Sequence, residues 1–180
     1  MNQDGVVQLR SQVDCFGSLQ GDEMNDPMGL LTPEHVLSGI PERWRRKVTI
    51  RLPDDLSMDA MPLIEAMWLS FRRIDPIINL DTLPELSFGI GVSPFRVHSE
   101  GVLRMDVALE EGTICAYSGM SIFIDLLRLA KLPEIMWPIG FLEEIVHVVM
   151  RVSDEDMAKR IVTILYPEIG YIDGRYSISR

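Results

Sequence analysis

Residues 141–150 read FLEEIVHVVM, two glutamates and a histidine in an otherwise apolar run. Each residue of an α-helix advances about 100° around the axis. Counted from Glu143, His147 then falls near ~40°, Gly140 near ~60°, Arg151 near ~80° and Glu144 near ~100°. Ile139, Phe141, Leu142, Ile145, Val146, Val148, Val149 and Met150 occupy the remaining arc. The spacing predicts a largely buried helix, from near Pro138 to about Val152, with one narrow polar seam.

Working outward, Ile122, Phe123, Leu126, Leu127 and Ala130 predict a preceding helix over 121–131, ending near Pro133. A following helix is expected to open at Ser153, to turn Met157, Ala158, Ile161, Ile164 and Leu165 inward, and to stop at Pro167. The tail IGYIDGRYSISR is read as a strand or a loose end.

Upstream, Val48 to Leu52 reads as a short strand ended by Pro53. Asp59 is placed as the cap of a helix whose Met61, Ile64, Met67, Trp68, Phe71 and Ile74 share one face, before Pro76. In Leu86 to Val92 the large residues alternate with Ser87, Gly89 and Gly91, a small face that something can approach closely. Phe95–His98, the turn 99–101 and Val102–Leu109 read as a hairpin, and Thr113–Tyr117 as a further strand. Residues 1–45 form an irregular arm with one helical turn at 33–38, and 46–180 form a single domain. Helix, strands, then helices is an α+β order rather than alternating βαβ.

The net charge of −10 repels phosphate backbones and argues against nucleic acid as a partner. The local exception is Glu42–Arg51, with five cations around Trp44. It reads as a solvated strand entrance, a dock for the chain's own acidic surface, or a base-stacking site. Cys15 and Cys115 lack CxxC spacing and fit ordinary thiols in a reducing cytoplasm. The first residues lack the pattern of a secretory leader, and no apolar stretch is long enough for a bilayer span, so no membrane partner is expected. His35 lies in the arm, and His98 beside a hairpin turn. One Glu-x-x-His pair is too few for a di-iron bundle.

Glu143 and His147 lie four residues apart, so their side chains stack on one face as convergent metal ligands do. Glu144 points beside them, where it can polarise water. This is the zincin spacing H-E-x-x-H with its first histidine replaced by glutamate. Ser153–Pro167 (SDEDMAKRIVTILYP) resembles the second signature of the ImmA/IrrE family of small metallopeptidases. Asp156 falls at the acidic ligand position, and Ile164, Leu165 and Pro167 match the ending. The order of support helix (59–74), small sheet (86–109) and active helix is also similar to a minimal zincin core.

The resemblance implies a zincin-like α+β fold, a divalent metal (zinc, or manganese given two carboxylates) on Glu143, His147 and Asp156, and Glu144 as general base. It also implies an edge strand near 102–109 that pairs with an extended peptide. Replacement of the first histidine implies peptidase chemistry that is lost or altered.

Simpler readings stand beside this one. The seam is also read as a solvated charged face, and Ser153-x-x-Asp156 as a capping box. In that case no metal binds. The alternative function is a non-catalytic interaction module that uses the acidic surface, eleven methionines and the arm to bind another protein or its own copy.

Overall fold

In the computed structural model, residues 29–98 and 104–178 are described. The turn expected at 99–101 lies outside them. Thr32 caps α1 (Pro33–Ser38) reciprocally: its Oγ1 accepts from the His35 amide, and His35 Nδ1 accepts from the Thr32 amide. Pro33 takes the first turn, where a missing N–H leaves no bond unmade. After α2 (Glu42–Arg45), the chain enters β1 (Val48–Arg51). Val36, Ile40 and Trp44 are fully buried, so the stretch 29–45, expected in the arm, contributes side chains to the core.

Burial of Trp44 removes the ring face that stacking on a base requires. Its Nε1 donates to Asp75 Oδ1 at 2.6 Å, and Arg43 binds the same carboxylate. Arg43 also donates to the carbonyls of Asp75 and Ile78, and Lys47 to that of Leu83. These cations tie α2 and β1 to the chain's own carbonyls and carboxylate.

α3 (Met61–Ile74) buries Leu63, Ile64, Met67, Ser70, Phe71 and Ile74, the three-and-four periodicity of one packed face. Ser57, not Asp59, caps the 3₁₀ turn that leads into it. Trp68 is half-buried and donates Nε1 to the Val36 carbonyl at 2.6 Å, with its ring lying over Gly39.

The main sheet has four strands. β2 (Leu86–Gly91) runs parallel to β1 on one side and to β6 (Ser121–Asp125) on the other. β5 (Cys115–Ser118) pairs antiparallel with β6 and forms an edge. The helix expected over 121–131 is therefore a central strand followed by one turn, α4 (Leu126–Leu129). The run SIFIDLL is apolar at consecutive positions, a pattern that a helix segment and a two-sided buried strand share. The neighbours on both sides and the β-branched Ile122 and Ile124 select the strand.

Leu86, Phe88 and Ile90 face the main core, against α3 and α5 (Trp137–Met150). On the opposite face a Cβ at Gly89 would lie 2.8 Å from Phe123, and one at Gly91 2.6 Å from Phe95. The close neighbour on the small face is thus the chain itself. The hairpin of β3 (Phe95–His98) and β4 (Arg104–Val107) brings Phe95 and Val107 into a second cluster with Leu109 and Phe123.

Ser70 links the helices, donating to the carbonyl of Pro138 at 2.7 Å and to that of Ala66 at 3.0 Å. α5 ends at Arg151 in the left-handed region (φ 55°). α6 (Glu155–Leu165) is capped by Asp154, whose Oδ1 accepts from the Met157 amide at 2.7 Å. The cap is neither Ser153 nor Asp156. With the helix in this phase, Ala158 and Val162 are buried, while Met157 and Ile164 are 52% and 77% exposed, not inward as expected.

The tail forms a hairpin of β7 (Ile169–Ile172) and β8 (Arg175–Ile178). Asp173 and Gly174 both take positive φ at its turn, as a type I′ connection requires. The molecule is a mixed α+β structure with small mixed and antiparallel sheets. Among the described residues no helix is long and apolar enough to cross a membrane.

Candidate metal centre

Of the polar seam only Arg151 is exposed; its other charged and imidazole groups are withdrawn from solvent. His147 keeps 2% of its side chain exposed, and Glu143 and Glu144 are half-buried. The left-handed turn at Arg151 precedes Val152, whose carbonyl lies 2.6 Å from His147 Nδ1. A carbonyl only accepts, so Nδ1 carries the hydrogen. Nε2 then faces Glu155 Oε1 at 3.5 Å. A bare nitrogen lone pair and a carboxylate repel, and a proton or metal cation between them removes the repulsion. Tyr117, from the edge strand β5, stacks on the imidazole with centroids 5.3 Å apart and holds its plane.

One turn earlier on α5, Glu143 Oε2 accepts from the Tyr176 hydroxyl at 2.7 Å. Burial raises the Glu143 carboxyl above its ordinary value, against the Tyr176 hydrogen bond and the charge of Lys159. Burial, then the charges of Glu143 and Glu155, push Glu144 up to about 8. Glu144 Oε2 is buried without a hydrogen-bond partner. Glu155 opens α6, with Lys159 Nζ 3.9 Å from its Oε2.

One ligand atom each from Glu143, His147 and Glu155 lies within 4.8 Å of the other two, so these residues could hold a metal ion. Ligands about 2.0–2.2 Å from one ion lie at most roughly 4.4 Å apart, so small side-chain rotations close the set.

The structure brings together two of the three expected ligands. The third position goes to Glu155 rather than Asp156. Because Asp154 is the cap, Glu155 is the first residue of α6, and Asp156 sits about 100° further round. Its Oδ1 instead accepts a hydrogen bond from Tyr171 on the C-terminal hairpin. Tyr117, Tyr171 and Tyr176 carry no periodic or motif signal in the sequence. Glu155 was visible only as one of three consecutive acidic residues.

Beside this group lies a cleft of about 460 Å³, lined by Thr113, Cys115, Gly140, Glu143, Glu144 and Tyr176 among others. Burial, followed by the charges of Glu144 and Glu143, pushes the Cys115 thiol well up. Cys115 is thus a protonated strand thiol rather than an activated nucleophile. The strand beside the site is β5, not the 102–109 segment, whose β4 pairs with β3 in a separate hairpin. His35 is occupied in the α1 cap. No family model, curated protein or solved structure matches the chain.

Proposed function

We propose that the chain is a zincin-like domain, similar in arrangement to the ImmA/IrrE metallopeptidases, that holds a divalent cation on Glu143, His147 and Glu155. The supporting order is a support helix (α3), a sheet with its edge strand (β5) beside the site, an active helix (α5) and an acidic ligand on the next helix. The observation that carries the proposal is the buried His147. Its tautomer is fixed by Val152, and its Nε2 faces a carboxylate within reach of a second one.

The donor set fits such an ion. Two carboxylates and a neutral imidazole satisfy manganese or magnesium, and also zinc. A bound cation would supply Lewis-acid polarisation of an oxygen ligand. Two carboxylates neutralise more of a dication's charge than the paired histidines of H-E-x-x-H, so polarisation of water is weaker. Peptidase chemistry of the standard kind is accordingly lost or altered. Glu144 stands next to the ligand set as its proton-carrying neighbour, and the free edge of β5 is the place where an extended peptide would add as a strand.

Metal analysis of chelator-free preparations tests this reading. About one equivalent of cation is expected in the wild type and in Asp156→Asn, with loss in His147→Ala and Glu155→Ala. Metal-free wild type after dialysis against manganese and zinc would refute it.

A second reading, an interaction module, draws on Met157 and Ile164. They stand exposed seven residues apart on one face of α6. Light scattering across a concentration series would show self-association through that face, and Ile164→Lys would abolish it.

A further inference from the structure

The C-terminal hairpin β7–β8 forms its own two-stranded sheet, separate from the four-stranded one. Of residues 169–178, Ile169 alone is buried. Two side-chain hydrogen bonds hold the hairpin over the metal centre. Tyr176 donates to Glu143 on α5, and Tyr171 donates to Asp156 on α6. The two tyrosines are cross-strand partners, with ring centroids 5.9 Å apart. Together they bracket both ligand-bearing helices, because Asp156 directly follows Glu155.

We propose that this hairpin is a strap that sets the cation affinity of the site, with Tyr176 as the positioning residue for Glu143 and Tyr171 as the anchor that fixes α6, and hence Glu155, relative to α5. The inference rests on the reading that Glu143, His147 and Glu155 hold a cation. A carboxylate has two oxygens, and Tyr176 occupies Oε2, leaving Oε1 its lone pairs and a fixed direction. Partners that orient a ligand in this way typically change metal affinity by about 10–100-fold when removed. Asp156, expected from the sequence to bind the ion, acts instead as the strap's second attachment point.

The test is calorimetric titration of the chelator-stripped full chain with Mn²⁺ and, separately, Zn²⁺. Tyr176→Phe keeps the ring and removes the hydroxyl. It is expected to weaken binding by about 10–100-fold and to remove the Tyr176 share of the near-ultraviolet tyrosine difference spectrum expected when Mn²⁺ is added to the wild type. Tyr171→Phe is expected to weaken binding less. Hydrogen exchange of the wild type gives a readout independent of any variant: Mn²⁺ is expected to slow exchange across 169–178. Wild-type affinity in folded Tyr176→Phe, or unchanged exchange across the hairpin in metal-loaded wild type, overturns the strap and leaves the cation site standing. Absence of binding by the wild type overturns the cation site and the strap together.

Discussion

Replacing Glu144 with glutamine stabilises the metal-free protein at neutral and alkaline pH, and the size of the effect follows from burial of that carboxyl. In the folded chain Glu144 holds its proton up to about pH 8, against an ordinary value of 4.5. Between those values the folded state binds a proton that the unfolded state has released. The stability associated with Glu144 is therefore fully present below 4.5 and is lost as pH rises towards 8. Each pH unit in that window costs about 1.4 kcal/mol, which comes to roughly 3 kcal/mol at pH 7. Glutamine has nearly the same shape and no charge to desolvate. Its amide, placed where Oε2 has no partner, gives back about 1–3 kcal/mol. The net gain at pH 8 is then about 1–3 kcal/mol; it falls to zero between about pH 5 and 7 and becomes a net loss below that. Urea titrations of chelator-stripped wild type and Glu144→Gln from pH 5 to 8.5 measure both quantities. Equal midpoints at pH 8, with the same pH slope in the two proteins, would refute the burial argument.

Two other substitutions probe packing and reactivity. Gly39→Ala places a Cβ 2.0 Å from the Trp68 indole, whose Nε1 is held by the Val36 carbonyl. Overpacking of this kind costs about 1–3 kcal/mol, so thermal unfolding should occur several degrees lower. In a Cys15→Ser chain, Cys115 should react with iodoacetamide at pH 8 far more slowly when folded than in urea, because its thiol is held protonated. Equal rates in the two states would contradict that assignment.

The parts of the fold legible in the sequence are those whose periodicity has one interpretation. α3 declared itself through Ile64, Met67, Phe71 and Ile74, and α5 through the apolar arc around its seam. The small face of β2 is legible as a place of close approach because Gly89 and Gly91 leave room for Phe123 and Phe95. The strand β6 is not legible as a strand, because a central strand covered on both faces shows no alternation. The phase of α6 was lost because Ser153, Asp154 and Asp156 are all competent caps, and a shift of one or two positions moves Met157 and Ile164 from core to surface. At the candidate site, Glu143 and His147 were readable because four-residue spacing on a helix is a local property. Glu155 depended on the cap. Tyr176 reaches Glu143 from 33 residues away through a hairpin that exists only once the chain is folded.

The parallel arrangement of β1, β2 and β6 has a consequence for how the chain acquires its structure. β1 meets β2 only after the segment carrying α3 has folded back, and β2 gains its second neighbour only when residues 121–125 arrive. The apolar face of α3 then waits for α5, more than sixty positions later in the chain. Such distant pairings lose loop entropy before any contact repays it, which slows collapse to the native state. A nascent polypeptide ending near residue 120 would leave β2 with an unpaired flank and the α3 stripe facing water. Neither half is therefore expected to stand as an autonomous unit during synthesis.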